Sequence, residues 1–191
     1  VHWAIICRAG ARERQEELLD VAEDIRRIAL QEERLQFTAF DSRTAWELGL
    51  ALKAAAEARQ APIVADIRLY SMRLLSFALP GGGPDNFDWV RRKRNVVFRF
   101  HRSSYAIGRK LAEEDKTLQD LGALPERDYA AHGGSFPILL KETGCIGAVT
   151  VSGLPQREDH RMVVEALALV LGQELGDAAL DCPPPSTRGR P

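Results

Sequence analysis

Two apolar runs of strand length, joined by a short Gly-containing turn and flanked by glycines, limit what this chain can fold into more than any other stretch. They lie between Tyr129 and His160. After Tyr129 come His132, Gly133 and Gly134, then Ser135, Phe136, Pro137 and the apolar Ile138, Leu139 and Leu140. Glu142, Thr143 and Gly144 make the turn, Cys145 to Val151 form the second run, and Ser152, Gly153 and Leu154 follow it. Asp159 and His160 then open a helix. This pattern predicts a β-hairpin, and the glycines outside it predict tight backbone bends. Two of the four histidines fall in this corner.

The remainder of the chain predicts three further strands and four helices. Between Arg12 and Arg34, Leu18, Val21, Ile25 and Ile28 recur at three- and four-residue spacing, the mark of an amphipathic helix. Leu35 to Phe40 alternates and reads as the first strand. Thr44 and Glu47 fit a capping box ahead of a helix that reaches Arg59. Ile63 to Tyr70 and Met72 to Leu79 are strands so close in sequence that an antiparallel pair is the simplest arrangement. Asp85 and Asn86 suit the N-terminus of one long helix running to Glu114, with Trp89, Val96, Phe100, Ile107 and Leu111 as its buried stripe. Val163, Ala166, Leu167, Val170 and Leu171 give the last helix its inward face. The order α-β-α-β-β-α-β-β-α predicts a single-domain α+β fold, an α-β-α sandwich with a central, mainly antiparallel five-stranded sheet. Residues 1–11 read as an N-terminal extension, 12–177 as the domain, and 178–191 as a Pro-rich disordered tail.

Charge and cysteine usage exclude several partners. With 26 basic against 27 acidic side chains, no global field favours nucleic acid or an anionic membrane surface. The apolar opening from Val1 to Cys7 is too short to span a bilayer, and no other run approaches that length. Cys7, Cys145 and Cys182 are odd in number and widely spaced, which predicts reduced thiols in a cytoplasmic protein and no zinc site. The triple glycine at 81–83 lacks both phosphate-binding frames, Gly-Lys-Ser/Thr and GxGxxG, which disfavours a nucleotide fold.

Chemistry concentrates in the corner and on the long helix. His132 beside two glycines can present an imidazole where backbone N–H groups are reachable, or serve only to bond a neighbouring loop. Ser152 and Gly153 offer a hydroxyl and amides ahead of a helix, a cradle for an anion. Asp159 reads as that helix's N-cap, which places His160 in the first turn, where the helix dipole keeps it neutral. The basic run Arg91, Arg92, Lys93 and Arg94, with Arg99 and Arg102, has two readings. It is either a solvated face paired to the acids of the first helix or, through Arg94, Asn95 and Arg99, a site for an anionic ligand. A Ser/His/Asp hydrolase can be assembled from Ser152, His132 or His160, and Asp159. No GxSxG elbow surrounds the serine, however, and adjacent Asp-His side chains on a helix diverge.

Three segments carry a family resemblance. They are His132-Gly133-Gly134-Ser135-Phe136-Pro137, the run from Ile146 through Gly147, Ser152, Gly153 and Leu154 to Gln156, and Asp159-His160. Together they resemble the C-terminal half of the haem-degrading-domain family (GlcG/HbpS-like), in the branch found in bacteria and fungi. Arg92, Lys93, Arg94, Asn95 and Val96, with Phe100 and Ser103 to Tyr105, add to the resemblance, which spans roughly Glu17 to Leu175. It implies a profilin- or PAS-like α-β-α sandwich, assembly into homo-oligomers, and haem as a candidate ligand. It also marks a departure: the haem-handling relatives carry a Gly-Gly-x-Pro segment without the preceding histidine. The expected function is a homo-oligomeric binder of haem or a small anionic ligand. The alternative is a non-enzymatic assembly or adaptor protein. The candidate ligand-binding set is His132, Gly133, Gly134, Ser152, Gly153, His160, Arg94, Asn95 and Arg99.

Overall fold

Hairpin register builds a five-stranded sheet whose middle strand is the second run of the opening stretch. The computed structural model of the protein describes residues 20–180. The expected N-terminal extension, residues 12–19 of the first helix and the tail from 181 lie outside them. In chain order the elements are a helix over residues 20–34 (α1), β1 (Gln36–Phe37), α2 (Ser42–Ala58), β2 (Val64–Leu69) and β3 (Arg73–Ala78). They continue with α3 (Pro84–Phe100), α4 (Ser104–Glu113), β4 (Ser135–Leu140), β5 (Gly144–Ser152), α5 (Gln156–Leu171) and a short 3-10 turn at Gly176–Ala178. The sheet order is β1-β4-β5-β2-β3, parallel only between β1 and β4.

Alternation along the strands gives the sheet two unlike faces. On one, Ala65, Ile67, Phe136, Ile138, Val149 and Val151 form the dry core beneath α2 and α5, meeting Leu48, Leu52, Met162, Val163 and Leu167. On the other, beneath α3, a polar row crosses four strands: Ser135 pairs with Thr150, Thr150 with Asp66, and Asp66 with Ser76. Ser135 Oγ and Thr150 Oγ1 lie 2.7 Å apart, and Ser135, Thr150 and Asp66 are buried. A buried polar face must be matched by polar groups from above. That requirement draws cations from α3 down onto the sheet.

Several boundaries differ from the sequence-based expectation, each for a local reason. The single long helix is two. His101 adopts the left-handed conformation (φ 56°) and ends α3, while Ser103 Oγ accepts the Ala106 N–H at 3.1 Å and starts α4. Glu32 of α1 pins this break, accepting the Ser103 N–H at 2.8 Å and pairing with Arg102. The cap of α2 is Asp41, whose Oδ1 accepts the Thr44 N–H at 2.9 Å, not Thr44 itself. At the other end of the chain, Ala178 and Leu180 are buried, and Leu180 packs with Ile28 and Tyr105. The packed region therefore runs past 177.

Candidate functional site: a cleft between α3 and α5

Because β4 and β5 are antiparallel, the loop entering β4 lies beside the end of β5, and the Val151 N–H bonds Gly134 O at 2.7 Å. This closeness requires glycine. Gly134 has φ +121°, and a Cβ there would fall 2.4 Å from Val151 O and 2.8 Å from Lys93 Nζ. A Cβ on Gly133 would meet Gln156 O at 2.0 Å. The two glycines thus let the loop settle against both β5 and the start of α5.

A cleft of about 280 Å³ opens where these pieces meet. His132 comes from the loop, Ser152 from the end of β5 and Gly153 from just beyond it, Gln156 and Asp159 from α5, and Trp89 and Lys93 from α3. Asp85 and Asn86 stand at the edge given by the first turn of α3. Lys93 Nζ lies 2.7 Å from Asp159 Oδ2 and 3.2 Å from Val151 O, and both side chains are almost wholly buried. Asp159 Oδ1 accepts the Leu154 N–H at 3.0 Å. Burial pushes the Lys93 pKa down and the Asp159 pKa up, and their mutual attraction opposes both shifts. An ammonium carries three donors. Two serve Asp159 and Val151, and the third is left for the cleft that the group lines.

His132 is exposed at the cleft wall, its ring edge-on to Trp89 with centroids 5.2 Å apart. Arg92 lies over the same indole at 4.5 Å. Desolvation first, then the Lys93 and Arg92 charges, hold the His132 pKa below its ordinary 6.5, so the imidazole is neutral at pH 7. Its backbone carbonyl accepts Ser104 Oγ at 2.5 Å, tying the loop to α4. The cleft therefore offers a neutral imidazole nitrogen, a buried ammonium, an indole wall and the N-terminus of α5. Such a set can hold a carboxylate and a flat apolar body together.

Of the nine residues singled out in the sequence, His132, Ser152 and Gly153 line the cleft, and Gly133 and Gly134 shape it from behind. The other four lie elsewhere. Arg94 is buried on the opposite flank of α3, with Nη1 3.1 Å from Asp66 Oδ2. Asn95 donates to Asp128 O at 2.8 Å, and Arg99 is exposed in the last turn of α3. His160 is fully buried, stacked near Tyr105 and Phe136, with Nε2 2.8 Å from Gln31 Oε1. Gln31 Nε2 donates to Ala178 O at 2.7 Å, which orients its amide and assigns the proton to His160 Nε2. Burial, with a smaller contribution from Arg157, takes the His160 pKa down to about 3.

Two expectations about this helix end need correction. The N-cap position of α5 is Pro155, and Asp159 is the fourth helical residue, so His160 lies past the first turn. Burial, not position in the first turn, keeps it neutral. The hydrolase relay, disfavoured from the sequence, does not form: Asp159 is held by Lys93 and the Leu154 N–H, and His160 Nε2 faces Gln31.

The basic run follows neither sequence reading as a whole. Arg91 pairs with Asp88 and Asp128, Arg92 donates to Glu126 O, Lys93 and Arg94 are buried, and Arg102 reaches α1. Lys93 was missed, although a signal existed. Position 93 follows Trp89 and Val90 by four and three residues and precedes Val96 and Val97 by three and four, so it lies on the buried stripe itself. Among the described residues no group of three His, Cys, Asp or Glu side chains could hold a metal ion.

Fold and cleft together define an α-β-α sandwich with a small, partly apolar cleft at one end of its middle strand. The family model for the HbpS-like haem degrading protein matches residues 40–168, and the chain belongs to that family. A UPF0303 protein of Rhizobium meliloti (strain 1021) is 58% identical over 156 residues, covering 82% of this chain and 95% of that protein. A UPF0303 protein of Azotobacter vinelandii is 52% identical over 163 residues, 85% of this chain and 98% of that protein. Among solved structures, Ybr137w is similar with a TM-score of 0.72 and 29% identity, over 78% of this chain and 88% of that one. A PduOC:haem complex shares the fold with a TM-score of 0.59 and 17% identity, over 68% of this chain and 94% of that one.

Proposed function

We propose that this protein binds a small anionic ligand, with haem as the family's candidate, in the cleft between α3 and α5. The observation that carries the reading is a buried ammonium, Lys93, facing the same cleft as the neutral imidazole of His132. Ligand sites are commonly concave and partly apolar, with volumes of about 300–1,000 Å³. At about 280 Å³ the cleft accommodates a small organic acid, whereas a haem would extend beyond its rim. The donor set nevertheless fits haem: His132 would supply the imidazole, Trp89 a flat wall, and Lys93 a partner for a propionate. Bound haem supplies an iron centre for electron or oxygen chemistry. His132 orients the ligand, Trp89 excludes water from one face, and Lys93 fixes the carboxylate.

Native mass spectrometry of protein taken directly from cells tests the reading. Retention of an anionic ligand by the wild type and its loss from His132→Ala support it. A retained ligand that is indifferent to His132→Ala removes the cleft from consideration.

A homo-oligomeric form is the second part of the proposal. Trp46 and Leu50, one turn apart on α2, are 57% and 58% exposed, and Leu169 of α5 is 72% exposed. Large apolar side chains set this way favour subunit contact. Light scattering after size exclusion decides, and a strictly monomeric wild type contradicts both this part and the assembly-protein alternative. A cytoplasmic location is also proposed, supported by the free thiol of Cys145 and by the absence, among the described residues, of a helix able to cross a membrane.

A further inference from the structure

Asp66 sits in the polar row of the sheet and is 1% exposed, yet three guanidinium groups converge on it. Arg73 Nε lies 2.8 Å from Oδ1, Arg94 Nη1 3.1 Å from Oδ2 and Arg68 Nε 3.8 Å from Oδ2. Among the described residues no other carboxylate is within ion-pair distance of these arginines, so one negative charge faces three positive ones.

Backbone pairing enforces the crowding. Arg68 and Arg73 are direct cross-strand partners on β2 and β3, where like charges repel. The donors are also unspent: the Nε groups of Arg68 and Arg94 are buried without a hydrogen-bond partner. Even Asp66 Oδ1, close to Arg73, lacks an aligned donor. Buried guanidinium donors left open next to surplus positive charge describe the protein's half of an anion site. The cluster reaches solvent through its outer members, the Arg73 side chain being 53% exposed and that of Arg68 24% exposed, with the buried Nε groups behind them. A ledge borders the cluster, with Tyr70 against Phe98 at 4.7 Å and Arg94 over Phe98 at 5.8 Å.

We propose that Arg68, Arg73 and Arg94 form a second binding site, independent of the His132 cleft, for the oxyanion of a small molecule, either a carboxylate or a phosphate. Asp66 positions the three guanidinium groups, and the anion accepts from the donors Asp66 leaves free. Lys93 and Arg94 point to opposite flanks of α3, toward Asp159 and Asp66 respectively, which keeps the two sites apart.

Calorimetric titration of the full chain with inorganic phosphate and with citrate, at ionic strength held constant with potassium chloride, tests this. The wild type should bind at least one of them saturably, and the preferred probe distinguishes phosphate from carboxylate. Arg68→Gln and Arg73→Gln should each weaken binding about tenfold, the scale of one lost charge-assisted hydrogen bond. His132→Ala should leave the arginine-dependent binding unchanged, whatever it removes at the cleft. Three results overturn the proposal: no saturable binding of either probe, binding indifferent to both arginine variants, or binding lost in His132→Ala instead. A fourth is a change of subunit number in Arg73→Gln by light scattering, since the arginines would then already be covered by a second copy of the chain.

Discussion

Lys93 and Arg94 are neighbours in α3, both buried and each paired to a buried carboxylate, Lys93 to Asp159 of α5 and Arg94 to Asp66 in the polar face of the sheet. Their surroundings differ in one respect that governs what each can do. On the Lys93 flank, one cation meets one acid, the hydrogen bonds from Leu154 and to Val151 support the pair, and the ammonium's remaining donor faces the cleft. On the Arg94 flank, three cations share one acid and two buried donors are left open. A balanced pair holds structure, with one spare donor turned to the cleft. A surplus of charge invites a partner. The same helix thus presents a charge-balanced unit on one side and an open, charge-surplus one on the other.

Breaking the balanced unit should cost most. Lys93→Met strands Asp159 as an unpaired buried carboxylate, and urea unfolding should report a loss of about 3–5 kcal/mol. Arg94→Met should cost less, about 1.5–3 kcal/mol, because Asp66 keeps Arg73 and Arg68. Equal losses in the two variants would erase the distinction drawn between the flanks.

His160 sharpens the comparison from the neutral side, as a buried polar group that carries no charge at all. Its folded pKa of about 3 lies below the ordinary 6.5, so the unfolded chain takes up a proton that the native one refuses. Its stabilising contribution is complete above pH 6.5 and is lost as pH falls, at about 1.4 kcal/mol per pH unit. Unfolding measured between pH 6.5 and 5, above the ordinary carboxylate range, should show that slope in the wild type and a flatter one in His160→Gln. The smallest effect belongs to the open unit: Arg73→Gln, at an exposed side chain, should change stability by no more than about 0.5 kcal/mol. A much larger loss there would make Arg73 a structural partner of Asp66.

What the sequence revealed follows from which forces are local. The β4–β5 hairpin and the inward face of α5 were readable because alternation and 3.6-residue spacing leave direct traces at Ile138, Val149 and Leu167. The break between α3 and α4 was not, because the apolar spacing runs on from Phe100 to Ile107 and Leu111. What fixes the break is Glu32, 71 residues from Ser103. The cleft was half readable: His132, Ser152 and Gly153 were marked by their glycines, while Lys93 looked like one more solvated cation in a basic run. Its role depends on Asp159, 66 residues away. Arg94 and His160 were joined to the wrong group for the same reason, since spacing along one helix does not show which flank faces which strand.

The central claim is that the ligand of the proposed function, haem or a small organic acid, binds on the His132 side of α3. A haem titration of the wild type, His132→Ala and Arg73→Gln, followed by the Soret band, tests it most directly. The account predicts a saturable band in the wild type and in Arg73→Gln, and its loss or a weakening of about tenfold or more in His132→Ala. Absence of any band in the wild type, or a band that survives His132→Ala unchanged, would contradict it.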